Sequence, residues 1–149
     1  MAEGEDRDGA VASELRLAAS YREGVERLAT AVAEAVDREG VWQARVSAGL
    51  DAALRLLAAD PELARLLLVE PLAVSGALRA EHERSLGRLA EALRPPAELS
   101  GDEPVSDEIL QLQAHGLVSY LSGRVLAGEA RRLADDHRAL LRFLLAQLP

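Results

Sequence analysis

Three histidines, His82, His115 and His137, are the residues of this chain most able to hold a metal or move a proton. A helical zinc or iron site needs two or three ligands at short spacing, commonly i and i+4. No pair of histidines has that spacing; the nearest carboxylates are the adjacent ones in His82-Glu83 and Asp135-Asp136-His137. Cysteine is absent, which removes disulfides and thiolate chemistry. A serine nucleophile elbow, G-x-S-x-G, does not occur, and no glycine-rich phosphate loop follows a strand. No enzymatic activity, metal or cofactor is expected on these grounds. What is left is polar groups set among apolar ones. His82 and His115 lie near apolar stripes, either as satisfied, partly buried side chains or as pocket-lining groups. Glu70 closes the run Leu66-Leu67-Leu68-Val69, either as a helix-end surface group paired with an arginine or as a polar group that orients a ligand.

The charge balance narrows the partners. All 17 basic residues are arginine, against 25 acids, for a net charge of −8. So acidic a chain repels nucleic acid unless its charges are segregated, and here Arg131-Arg132 is the only adjacent basic pair. Direct nucleic-acid binding is not expected. No apolar run approaches the roughly 20 residues of a membrane span. The start, "MAEGEDRDGA", lacks the basic head and apolar centre of a secretion signal. A cytoplasmic location without membrane contact is the expectation.

Ala, Leu, Arg and Glu dominate, and Ile109 is the single isoleucine, so strand-forming residues are scarce. The spacing predicts an all-α bundle of about six helices. Residues 1–13 are polar and aperiodic and read as a disordered acidic tail ahead of one domain, 14–149. A first helix carries Leu15, Ala18, Val25, Leu28, Val32 and Val36 at three- and four-residue spacing, with Gly24 as a weak point and Gly40 as a stop. A second runs from about Val41 through Trp42, Val46, Leu50, Leu54 and Leu57. Asp60 suits the cap of a third helix and Pro61 its first turn, so one helix ends and the next begins with scarcely a loop between. The third runs to about Leu68, and Pro71 ends or kinks it. A fourth helix holds Leu78, His82, Leu86, Leu89 and Leu93 on one stripe. "RPPAELSGDEPVSDE", Arg94 to Glu108, reads as a mobile surface loop. Ser106 then opens a fifth helix ending at Gly128, and a sixth spans about Ala130 to Leu148.

The last two helices carry more apolar surface than one core requires. Leu110, Leu117, Leu121 and Val125 form one side of the fifth helix; Leu112, Gly116, Ser119, Gly123 and Ala127 form another. Small residues at that spacing admit another helix closely, either as a crowded internal crossing or as a two-fold interface. In the second case Leu112, Gly116, Ser119, Tyr120, Gly123, Leu140, Leu144 and Leu148 meet their copies in a four-helix bundle.

"VWQARVSAGLDAALRLLAADPELARLLLVEPLAVSGAL", Val41 to Leu78, resembles the ligand-binding and dimerisation domain of the tetracycline-repressor (TetR) family. "HGLVSYLSGRVLAGEARRL", His115 to Leu133, is similar to that family's penultimate helix and its Ala-Gly turn. "ELRLAASYREGVERLATAV", Glu14 to Val32, looks like the helix that follows its DNA-binding head. The resemblance implies a homodimeric helical sensor whose core cavity takes a small, mostly apolar effector. The expected lining is Trp42, Val46, Leu50, Leu67, His82, Leu86 and Leu89, with Glu70 near the inner end and His115 as a further polar contact. The family's helix-turn-helix head should precede Glu14, where only a short acidic stretch stands. The chain is therefore expected to be a sensor without its own operator contact. A non-sensing module that pairs with a full-length relative of the family, and a degenerate fragment, remain as alternatives.

Overall fold

The computed structural model describes residues 2–74 and 76–146, with side chains from residue 4. Every regular element among them is helical. The α-helices are α1 (Ala2–Val36), α2 (Trp42–Ala59), α3 (Pro61–Leu68), α4 (Glu70–Ala73), α5 (Ala77–Ala92), α6 (Asp107–Leu126) and α7 (His137–Leu145). Two 3-10 segments, Ala97–Leu99 and Ala130–Asp136, complete the set. No helix among the described residues is long and apolar enough to cross a membrane.

The tight joint between α2 and α3 forms as its residues dictate. Asp60 Oδ1 accepts from the Leu63 backbone N–H at 3.0 Å, and its other oxygen pairs with Arg27 of α1 at 2.9 Å. One carboxylate thus caps α3 and ties it to α1. Gly24 is more than a weak point in α1. A methyl there would come within 2.8 Å of Leu63 Cδ1, so its bareness lets α1 cross α3 closely. Gly49 plays the same part for α2, where a Cβ would lie 3.1 Å from Val36 and 3.2 Å from Val32.

α1 packs on α2, α3 and α5; α5 packs on α6; α6 covers α3. Leu54, Leu78, Leu110, Leu133 and Leu144 are the fully buried hub of the core. Ser122, buried on α6, hydrogen-bonds to the Leu68 carbonyl at 2.7 Å and so satisfies one of the acceptors that the end of α3 leaves open.

Residues 2–13 depart from expectation. α1 continues through them as helix from Ala2, although residues 4–13 are exposed throughout. No proline interrupts them, and early acidic residues suit the positive end of the helix dipole. Contact with the rest of the chain begins at Glu14, whose Oε1 accepts from the Ala77 N–H at 2.8 Å and caps α5. The preceding residue, Gly76, has φ +76°, and a side chain there would occupy the space of that carboxylate.

The expected sixth helix is broken. Residues 130–136 form the 3-10 segment and α7 starts at His137, whose ring Nε2 donates to the Ser47 carbonyl at 3.0 Å. α7 packs on α2, and Leu140 and Leu144 are buried in this chain's own core. Leu148 lies outside the described residues.

Candidate functional site

The residues of the expected cavity are spread over three of the grooves that enter the bundle. The first is a slot of about 260 Å³. Tyr21, Val25, Leu28 and Val32 of α1 form one wall, Leu67 and Leu68 of α3 the floor, and His82, Ser85, Leu86 and Leu89 of α5 the other wall. The second groove, about 560 Å³, runs between α1 and α2 and holds Trp42, Val46 and Leu50 with Val36 and Leu144. The third, about 300 Å³, lies between α5 and α6 and brings His115 near His82 and Leu86. Of the expected lining, Leu67, His82, Leu86 and Leu89 come together, while Trp42, Val46 and Leu50 line a different depression. Glu70 lines none of these grooves. α3 ends at Leu68, and the break at Val69 turns Glu70 outward to within 3.7 Å of Arg65. His115 is exposed, and its Nδ1 donates to the Gln111 carbonyl one turn back at 2.8 Å.

The slot has a polar centre. The Tyr21 hydroxyl and His82 Nδ1 are 3.0 Å apart, both side chains are buried, and the rings meet edge to face at 6.0 Å. With the phenol as donor, Nδ1 is the acceptor and the ring proton sits on Nε2. Burial is the largest influence on each group. It lowers the His82 pKa, reinforced by Arg79 and His115 and opposed by Glu83. It raises the Tyr21 pKa, with Ser85 and Arg88 acting the other way. Both groups are therefore held neutral. Ser85 sits one turn along α5 from His82. Its hydroxyl oxygen is buried beside the tyrosine without a hydrogen bond of normal geometry.

Such a trio can orient a hydrogen-bonding group within an apolar slot. All three residues are mid-helix, where backbone N–H groups are already used in the helix, so no backbone cradle faces a developing oxyanion. Sequence reasoning missed Tyr21, Ser85 and Arg88. Tyr21 was visible in principle, since it falls between Ala18 and Val25 on the apolar stripe of α1.

The α6 face is split in the way its two stripes predict. Leu110, Leu117, Leu121 and Val125 are buried, whereas Leu112, Ser119, Tyr120 and Gly123 are exposed. Leu112 is 69% exposed and Leu126 is 60% exposed, high values for leucines on a regular helix. Gly116 differs from Gly123. A Cβ at 116 would meet the Phe143 ring at 3.1 Å, while one at 123 would meet nothing within 4 Å.

No protein-family model, curated protein or solved structure matches the chain.

Proposed function

We propose that this chain is a ligand-sensing and dimerisation domain of the tetracycline-repressor type. A small, mostly apolar effector enters the slot between α1 and α5, and the exposed face of α6 meets a second copy. The observation that carries the reading is the slot itself, an apolar cleft with one buried, neutral Tyr21–His82 pair inside it. Small-molecule sites have this make-up, mostly hydrophobic walls with a few placed polar groups. The order of motifs along the chain supports the same reading.

Indole, an apolar probe with a single N–H donor, tests it. At a hundredfold excess over its Kd, a ligand that binds only the folded state adds about 2.7 kcal/mol, or about 5–10 °C in melting temperature for a chain of this size. Leu89→Trp fills the slot and Val46→Trp fills the second groove; both positions are half-buried, so neither change overpacks the deep core. The expected result is a rise in wild type and in Val46→Trp that Leu89→Trp abolishes. No rise in wild type, or a rise that only Val46→Trp removes, overturns the assignment to the slot.

A further inference from the structure

Charged side chains line the mouth of the slot. Tyr21, Val25, Ser85 and Arg88 line both the slot and an outer vestibule that adds Arg22, Glu26, Glu81 and Arg84. Three arginines thus face two glutamates at this one opening, in a chain whose net charge is −8. Arg22 and Arg84 share a single carboxylate, Glu81, at 3.7 and 2.8 Å. Arg88 is different. Among the described residues no carboxylate lies within ion-pair distance of it.

A cation without an ion-pair partner, set at the rim of an apolar cleft, is complementary to an anion with an apolar body. We propose that the slot selects a monocarboxylate with a hydrocarbon tail. Arg88 holds the carboxylate at the mouth, and Leu67, Leu86, Leu89 and Val118 enclose the tail. The guanidinium fork matches a carboxylate's two oxygens, which an ammonium would not do as well. The inference rests on the ligand-sensing reading and adds the chemical class of the ligand to it.

The test compares octanoate with octanamide, which has the same tail and a neutral head, by titration calorimetry below the concentration at which octanoate forms micelles. Wild type should bind octanoate about five- to tenfold more tightly than octanamide, between the upper value for an exposed ion pair and the lower value for a charged hydrogen bond. Arg88→Gln should erase that preference and leave octanamide affinity unchanged. Arg131→Gln, at an exposed arginine of the 130–136 segment, should preserve it. Equal binding of the two probes, or a preference that survives Arg88→Gln, overturns the carboxylate assignment while leaving a ligand slot in place. Absence of binding by both probes overturns the assignment together with the ligand-sensing reading.

Discussion

Gly123 offers a test of the α6 face in which the sign of the effect decides. A glycine inside a helix costs about 0.5–1 kcal/mol relative to alanine. In this chain nothing occupies the space a Cβ would take at position 123, so an isolated protomer should gain that amount from Gly123→Ala. For a chain of this size the gain is about 1–4 °C in melting temperature. If α6 instead packs closely against its copy, the added methyl pushes two backbones apart at an overpacking cost of about 1–3 kcal/mol. That cost weakens the dimer roughly five- to hundredfold. Gly116→Ala is the internal control, because the neighbour it would touch is the half-exposed Phe143 ring, which can shift. Sedimentation velocity from one to a hundred micromolar, with melting curves at both ends of that range, reads both quantities. The expected outcome is a wild-type dimer, a weakened dimer in Gly123→Ala and a monomer in Gly123→Arg. Wild type that sediments as monomer throughout, or Gly123→Ala that raises the melting temperature with its dimer intact, would show that this face is simply solvated.

Other outcomes follow from groups already placed. Asp60→Ala should lower the melting temperature at neutral pH more than Asp60→Asn does, since asparagine keeps a capping oxygen. Hydrogen bonds from Leu63 and Arg27 hold the Asp60 carboxyl below its ordinary value of 3.8, so its stabilisation is present above that pH and is lost as pH falls through the lowered value. Burial lowers the His82 pKa below 6.5, so the unfolded chain takes up the proton first and stability should decline as pH drops from about 6.5. His82→Leu should flatten that slope in urea titrations, and an unchanged slope would assign it to another group. The purified chain should show negligible affinity for duplex DNA at physiological salt, because its net charge of −8 is not offset by a phosphate-neutralising face. Salt-dependent binding in an electrophoretic shift would contradict this.

The elements were legible where a local signal sets them. Asp60-Pro61 and Ser106 announce helix starts through capping chemistry that needs only neighbouring residues, and both caps form, with Ser106 Oγ accepting from Ile109 N–H at 3.4 Å. The two stripes of α6 also sort correctly into core and surface, because a regular helix preserves its period. What failed depends on how helices cross. Trp42 and Leu67 were grouped because both lie on apolar faces, yet they line two adjacent grooves that share Ala29, Val32 and Ala92. The contact of Gly24 with Leu63 and Leu67, which lets α1 cross α3 closely, joins residues that no local pattern relates. The burial of Leu140 and Leu144 in this chain's own core goes with the docking of α7 on α2, where His137 reaches Ser47, ninety residues away. Tyr21 sits between Ser20 and Arg22, in a polar-looking stretch that hides its place on the stripe.

The contact between Glu14 and Ala77 spans 63 residues of sequence and leaves its own mark on how the chain can vary. Position 76 admits no ordinary side chain, both because its backbone is left-handed and because a carboxylate already fills the space. Shortening Glu14 would open that space but leave the first N–H of α5 without its acceptor. Neither site can drift alone without loss. Over generations the two should therefore change in step or hold fixed, so a lineage that abandons one must pass through a less stable intermediate before it settles on another way to close α5.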